Sequence, residues 1–333
     1  MARLLVTLVA AILLTAAVPD AHARQKLYVV DTGGDDVTVI DVATHAVLGR
    51  VTVGTHPQGL AAPASQDVVY VTVGEGRSGE LVWVDPGSDT VKRRMPVGPA
   101  PNQLAVTPDG TRAYVPCKDG YWDVVDLARA KVITRIFTGG RPHNTLVSPD
   151  GARVYLAAMG APKKVTIVDV ATNASVGEIA FSDVIRPIAL SRDEKRLYAE
   201  VDDLVGVEVA DVGARKMIQR LPATLGEEEI GPSRSHGLGV RPDQRELWEC
   251  DVEHRDVHVY DVSGERAKQI ATVPLGMRPY WLTFTPDGKT CFVAGGAENG
   301  EVVIVDAEAR KAVDRIPVGR NPERLIVVEP PAR

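Results

Sequence analysis

Residues 149–169 read Pro-Asp-Gly-Ala-Arg-Val-Tyr-Leu-Ala-Ala-Met-Gly-Ala-Pro-Lys-Lys-Val-Thr-Ile-Val-Asp. Pro149 presets φ and Gly151 supplies a positive φ, so Pro-Asp-Gly is a turn with a mechanism. Apolar side chains alternate through Arg153-Val154-Tyr155-Leu156, a loop with glycine and charge follows, and Val165-Thr166-Ile167-Val168-Asp169 alternates again. Period-two alternation between closely spaced turns predicts antiparallel β-structure, and no stretch sustains a helical period.

The same unit recurs along the chain. Its aromatic returns as Tyr28, Tyr70, Tyr114, Tyr155, Tyr198, Trp248 and Phe292, and its closing aspartate as Asp41, Asp85, Asp126, Asp169, Asp211, Asp261 and Asp306. Spacings run from 41 to 50 residues, and both series are widest at the same place, before Trp248 and Asp261. Each unit opens on a Gly-x-x-Pro type entry such as Gly54-Thr55-His56-Pro57, and a fourth strand such as Val313–Gly319 leads to the next. Seven repeats of four strands predict an all-β, seven-bladed β-propeller. The first unit starts at a second strand (Lys26 to Asp31) and the last piece is a lone first strand (Pro322 to Glu329). These two must share one blade and close the ring.

With its repeated aromatic strand, its Pro-Asp-Gly turns and Val39-Ile40-Asp41-Val42, the chain resembles the YVTN-repeat β-propellers, exported bacterial proteins. The resemblance spans residues 24 to 329. It departs from that family's pattern where an asparagine would follow the aromatic by three places: Asp31, Val73, Cys117, Ala158, Val201, Asp251 and Gly295 stand there. The resemblance implies a fold and a compartment, and for some relatives a place beside quinoprotein pathways. Haem d1 and lactonase propellers share the architecture.

Composition narrows the field. The 333 residues are 44% hydrophobic and 25% charged, which are globular proportions, with 38 Lys plus Arg against 44 Asp plus Glu and a net charge of -6. An acidic chain lacks the basic footprint of a nucleic-acid binder. Leu4 to Val18 carries no charge, Pro19 breaks the run, and Ala21-His22-Ala23 matches a small-residue cleavage pattern. Residues 1–23 therefore read as a signal peptide cleaved after Ala23, residues 24–329 as the propeller and 330–333 as a short tail. The expected location is periplasmic or secreted, with no transmembrane segment after cleavage. Three cysteines, Cys117, Cys250 and Cys291, are too few and odd in number for a disulfide framework, and read as small buried hydrophobes. His254 and His258 read as surface residues, and Leu221 to Ser235, with its Glu227-Glu228-Glu229, as a solvated loop, a lid or a docking lobe.

The first strand of each propeller blade lines the central channel, so entry residues decide what the funnel presents. One place after the proline position stand Gln58, Asn102, His143, Arg186, His236, Tyr280 and Glu323, with Ser235 taken as that position in the sixth repeat. All can hydrogen-bond. Just before it stand His56, Arg141, Arg234, Arg278 and Asn321. Converging arginines suit carboxylate or phosphate ligands, so Gln58, Asn102, Arg141, His143, Arg186, His236, Arg278, Tyr280 and Glu323 are candidate ligand-binding residues. His56, His143, His236 and Glu323 are candidates for a divalent metal, and the same polar groups also suit a merely hydrated channel. Three readings follow: a binding protein for an anionic small molecule or an exported partner, an enzyme (lyase or lactone hydrolase) with His143 or His236 as base beside a metal, and a docking scaffold. No nucleophile elbow, phosphate loop, H-E-x-x-H or dinucleotide fingerprint occurs.

Overall fold

The computed structural model describes residues 24–226, 228, 229 and 235–331. The signal peptide read over residues 1–23, Arg234 and the last two tail residues lie outside that range, as does the Ser235 side chain. The chain forms seven four-stranded antiparallel sheets, and no helix occurs among the described residues. No helix there is long and apolar enough to cross a membrane.

Six sheets are built from consecutive strands, inner to outer. The seventh is closed across the termini. Lys26–Asp31 pairs with Asp36–Asp41 on one side and with Pro322–Val328 on the other, placing Lys26 opposite Val328 and Val30 opposite Arg324. We call this sheet blade one and number the rest in chain order. Leu325 and Val328 on the closing strand are buried, and each is worth about 1.5–3 kcal/mol on that account.

Every sheet is apolar on both faces because each face is covered by a neighbour. Tyr28, Val30 and Val39 of blade one pack with Leu60, Val71 and Val82 of blade two, and Tyr155 and Ile167 of blade four with Ile188 and Leu197 of blade five. The repeated tyrosine adds a polar tie. Tyr28 donates to Asp89, Tyr114 to Asn173 at 3.0 Å and Tyr155 to Glu194 at 2.9 Å, each on the following blade. The closing aspartates cap the turn after their strand: the carboxylates of Asp41, Asp85, Asp126, Asp169, Asp211, Asp261 and Asp306 all accept backbone N–H groups two or three residues on. Such Asx turns satisfy donors that the strand ladder leaves open.

Two details differ from the sequence reading. His258 is fully buried rather than at the surface, its ring held between Asp251 at 3.3 Å and Thr272 at 3.1 Å. The long connection after blade five forms a small hairpin, Thr224–Leu225 against Glu228–Glu229. Thr224 exchanges hydrogen bonds with Gln269 on the outermost strand of blade six, Lys268–Pro274. The described part of this segment is thus anchored at the rim. The cysteines are buried and unpaired, as expected.

Deleting residues 321–333 removes the inner strand of blade one. With a stability of about 5–15 kcal/mol for a typical domain, loss of the about 3–6 kcal/mol from Leu325 and Val328 burial, together with the unpaired edge left on Lys26–Asp31, should abolish the cooperative melt followed by circular dichroism. A truncated protein that keeps its transition would refute ring closure by this strand.

Candidate functional site

The geometry of the funnel begins with a backbone irregularity. Where the first strand of a blade meets the second, the pairing skips a residue: between Pro57 and Gly59, Pro142 and Asn144, and Pro279 and Trp281. The skipped residues are Gln58, His143 and Tyr280, and Glu323 is passed over in the same way opposite Val30 and Asp31. A bulge leaves its extra residue out of the ladder and re-aims it. Here it turns the residue after the proline toward the axis.

The structure divides the candidate residues into three groups. Gln58, Asn102, Arg141 and His143 share one cavity of about 190 Å³ with His56 and Lys118. Within it Asn102 Nδ2 donates to Gln58 Oε1 at 2.7 Å, and Gln58 Nε2 meets His56 Nε2 at 3.0 Å. Arg141 and Lys118 are exposed and form no ion pair among the described residues. No aspartate or glutamate lines the cavity itself, and the buried Glu323 carboxyl meets Gln58 and His56 from behind the wall.

Next to it lies a dense stack. His143 and His236, 5% and 4% exposed, pack edge to face with ring centres 5.5 Å apart. His236 stacks on Tyr280 at 4.0 Å and touches Trp281 at 5.8 Å. Over Trp281, at 4.0 Å, lies the guanidinium of Arg324, which is 1% exposed. One arm of Arg324 donates to the Glu323 carbonyl at 3.2 Å, while Nε and Nη2 have no partner among the described residues. His143 Nδ1 and His236 Nδ1 are likewise unpartnered.

The third group sits at the rim, already neutralised. Arg186 binds Asp202 at 2.5 Å and Arg278 binds Glu253 at 2.6 Å. Each of these two candidate ligand-binding arginines therefore already holds a carboxylate partner. Their partners come from the loops joining second and third strands, outside the entry motif. Glu323 is held by Asn321 at 2.9 Å, and burial raises its carboxyl pKa. No group of three or more His, Cys, Asp or Glu among the described residues is arranged to hold a metal ion, so His56, His143, His236 and Glu323 do not form one coordination site here.

Arg324, Trp281 and Lys118 escaped the sequence reading. Arg324 and Trp281 stand two places after the proline position, where other blades carry Gly59, Gln103, Asn144, Pro187 and Gly237. Two bulky side chains at a position that takes glycine in blades two and six were the available signal: a Cβ on Gly59 would lie 2.6 Å from the Asn102 carbonyl.

The electrostatic consequence is strong. Burial, then the charges of Arg324, Arg186 and Arg141, push the His143 pKa well below its usual value. Burial, Arg324 and His143 do the same to His236. Both imidazoles are neutral at pH 7. Burial also lowers the Arg324 pKa, against the attraction of Tyr280 and of the neighbouring Glu323 carboxyl, and taking such a charge out of water costs several kcal/mol before that attraction is counted.

No protein-family model matches the chain, and no curated protein matches it. Among solved structures it is similar to the hydrazine synthase of Kuenenia stuttgartiensis, with a TM-score of 0.72 and 20% identity over 93% of this chain and 100% of that one. It is also similar to the dihydro-heme d1 dehydrogenase NirN in complex with DHE, with a TM-score of 0.65 and 15% identity over 92% of this chain and 75% of that one. At such identity the likeness shows the propeller fold.

Two outcomes are expected of Arg324→Met. Thermal stability should stay level or rise, because the cost of desolvating the guanidinium is removed together with its attraction to Glu323 and Tyr280, and an apolar chain of similar length fills the space. The His143 ring, followed by NMR, should titrate nearer 6.5 than in the parent. In the parent, both depressed histidines leave stability intact above about pH 6.5 and cost it as pH falls below, since the unfolded chain binds the protons first. The variant should lose less on acidification. A large fall in melting temperature would show that the attraction of Glu323 and Tyr280 for Arg324 outweighs its desolvation.

Proposed function

We propose that this chain is an exported propeller that binds a small carboxylate-bearing anion at its funnel mouth, without turning it over. The observation that carries the reading is a cavity walled by two unpaired cations, Arg141 and Lys118, and by no acid, in a chain of net charge -6. Gln58, Asn102 and His56 supply further hydrogen-bonding groups on the wall. Behind them Arg324 adds a positive potential that low-dielectric surroundings screen poorly. At about 190 Å³, less than drug-sized pockets and about six times a water's share of liquid volume, the cavity suits a compact di- or tricarboxylate.

The enzyme reading asks His143 or His236 to act as general base. A useful base titrates near the working pH, and both rings are held well below it. Binding is the better fit. The repeat pattern supports membership of the YVTN-repeat propellers, with their export and their link to redox pathways. That NirN was solved with DHE shows that a propeller of this shape accompanies a small-molecule ligand in at least one protein. Within this reading residues 1–23 are removed on export, 24–329 form the propeller and 330–333 a tail. N-terminal sequencing of protein recovered from the periplasm should begin at Arg24.

Calorimetry with succinate and citrate tests the site. Each missing charge-assisted hydrogen bond costs about 1.5–3 kcal/mol, so Arg141→Ala should weaken binding about tenfold or more. Arg278→Ala, at a position already paired with Glu253, should leave affinity within a factor of about two. The reading is overturned if neither anion binds, or if both variants bind like the parent.

A further inference from the structure

The polar ties between blades stop short at one junction. Lys26 and Tyr28 of blade one both donate to Asp89 of blade two, and Arg153 and Tyr155 of blade four both donate to Glu194 of blade five. In each case a cation and a phenol two places apart, hence on one face of the strand, hold a single carboxylate of the next blade. Blade five presents the same pair, Arg196 and Tyr198. Blade six sends no acid to meet it. Its last turn is longer: Asp261 pairs with Lys268, seven places on, whereas Asp85, Asp126, Asp211 and Asp306 pair five places on, with Thr90, Lys131, Lys216 and Lys311. Glu265 follows Asp261 as Asp89 follows Asp85, but it is exposed and has no partner among the described residues. The other junctions differ. Tyr114 takes Asn173, Arg310 crosses to Glu246, Tyr70 has Val68 in place of the cation, and Phe292 has no hydroxyl.

An open cleft results between blades five and six, a cavity of about 730 Å³ lined by Arg196, Tyr198 and Glu265 together with Arg192, Gln244 and Ser263. Tyr198 is 3% exposed. Its hydroxyl makes no hydrogen bond among the described residues and keeps its access to solvent on the cavity side. Burial pushes its pKa up to about 12, so the phenol keeps its proton as a donor. Arg196 uses Nη1 on Asp211 at 2.8 Å and on the Lys195 carbonyl at 3.3 Å, and its Nε and Nη2 have no partner among the described residues. The pair with Asp211 is partly exposed, 30% and 35% by side chain. Such pairs hold little energy, so the guanidinium is able to serve a second carboxylate.

We infer that the cleft between blades five and six binds an acidic peptide, one aspartate or glutamate side chain of which sits between the Tyr198 hydroxyl and the Arg196 guanidinium. The molecule's own junctions name this chemistry: at the equivalent places a cation and a tyrosine hold Asp89 and Glu194, both carboxylates carried on polypeptide. The volume beyond that seat accommodates the flanking residues, against the hydrogen-bonding groups of Arg192, Gln244 and Ser263. The cleft is built from the turns after first and third strands, on the face opposite the funnel mouth. Nothing in the inference rests on the anion reading.

The probes are acetyl-Gly-Glu-Gly-amide and its glutamine counterpart, which differ in the charge of one side chain. On the full mature chain, the glutamate peptide should bind saturably at one equivalent in an NMR titration. The glutamine peptide should bind about tenfold or more weakly, the loss expected for a charge-assisted hydrogen bond. Tyr198→Phe should weaken the glutamate peptide by about tenfold and leave the melting temperature in place, because no tie between blades is lost. Tyr155→Phe, which removes the existing tie to Glu194, should do the reverse, lowering the melting temperature and leaving peptide affinity intact. Arg196→Gln should also weaken the peptide, and it serves if Tyr198→Phe does not fold. Glu265→Gln separates an outside ligand from the chain's own acid: melting temperature should hold and the peptide should bind at least as tightly as to the parent. A fall in melting temperature in that variant would mean that Glu265 fills the seat, and would overturn the inference. So would no saturable binding, equal affinity for the two peptides, or parental affinity in both Tyr198→Phe and Arg196→Gln.

Discussion

An antiparallel sheet with two apolar faces cannot stand beside water, and every blade of this protein is such a sheet. Val30 and Val71, Ile167 and Leu197 are buried only because the adjacent blade lies over them. An open row of seven blades would leave two such faces bare, so the row has to close, and the pairing of Lys26–Asp31 with Pro322–Val328 closes it. The chain needs no disulfide for this. Its three cysteines are spent as packing, and a strand exchanged between termini gives a long-range tie of the same topological kind.

Closure also decides what the axis must tolerate. Seven first strands converge there, and bulges at Gln58, His143 and Tyr280 take those residues out of the ladder. The space is small, so the side chains that fill it lose water whether or not they are apolar. His143 and His236 accept this by remaining neutral. Arg324 cannot, because a guanidinium keeps its proton in any protein. Its flat cation spreads over Trp281 instead, a contact worth about 2 kcal/mol when desolvated. Tyr280 and the Glu323 carboxyl also attract it, yet burial still lowers its pKa, so the closed ring carries a desolvation deficit at its centre.

The architecture was readable from the sequence because each blade repeats the same physical problem. Tyr155 and Tyr114 both tie one blade to the next, and all seven closing aspartates cap the same turn, so the pattern is written many times over. The site is written once. Repeat alignment identified Gln58, Asn102 and His143 as axial because they occupy a shared register. It misplaced the burden of charge: Arg186 and Arg278 look free beside the prolines, but Asp202 and Glu253, from loops of variable length, neutralise them. Arg324 and Trp281 are departures confined to single blades, and alignment by repeat averages such departures away. His258 was taken for a surface residue because a histidine in an outer strand usually faces water. Only the fold reveals that Asp251 and Thr272 wait for it inside.

The two ends of the channel then follow from one asymmetry. The entry residues Gln58, His143, Tyr280 and Glu323 sit on bulges and are polar, whereas exit residues are in regular pairing and continue the apolar alternation of the blade, as Leu146 opposite Tyr155 and Leu190 opposite Leu197 show. The deficit at Arg324 lies between them. An anion at the entry end lowers it through Coulomb attraction, which survives some separation in a poorly screened interior. The cleft between blades five and six obeys another balance. Its cation already shares Asp211, so a ligand there relieves little buried charge and supplies instead the tie that Asp89 and Glu194 give their own junctions. Occupancy of the two sites is therefore governed by different terms. The entry site responds to ionic strength and to the charge of its ligand. The cleft responds to the fit of one carboxylate between Tyr198 and Arg196.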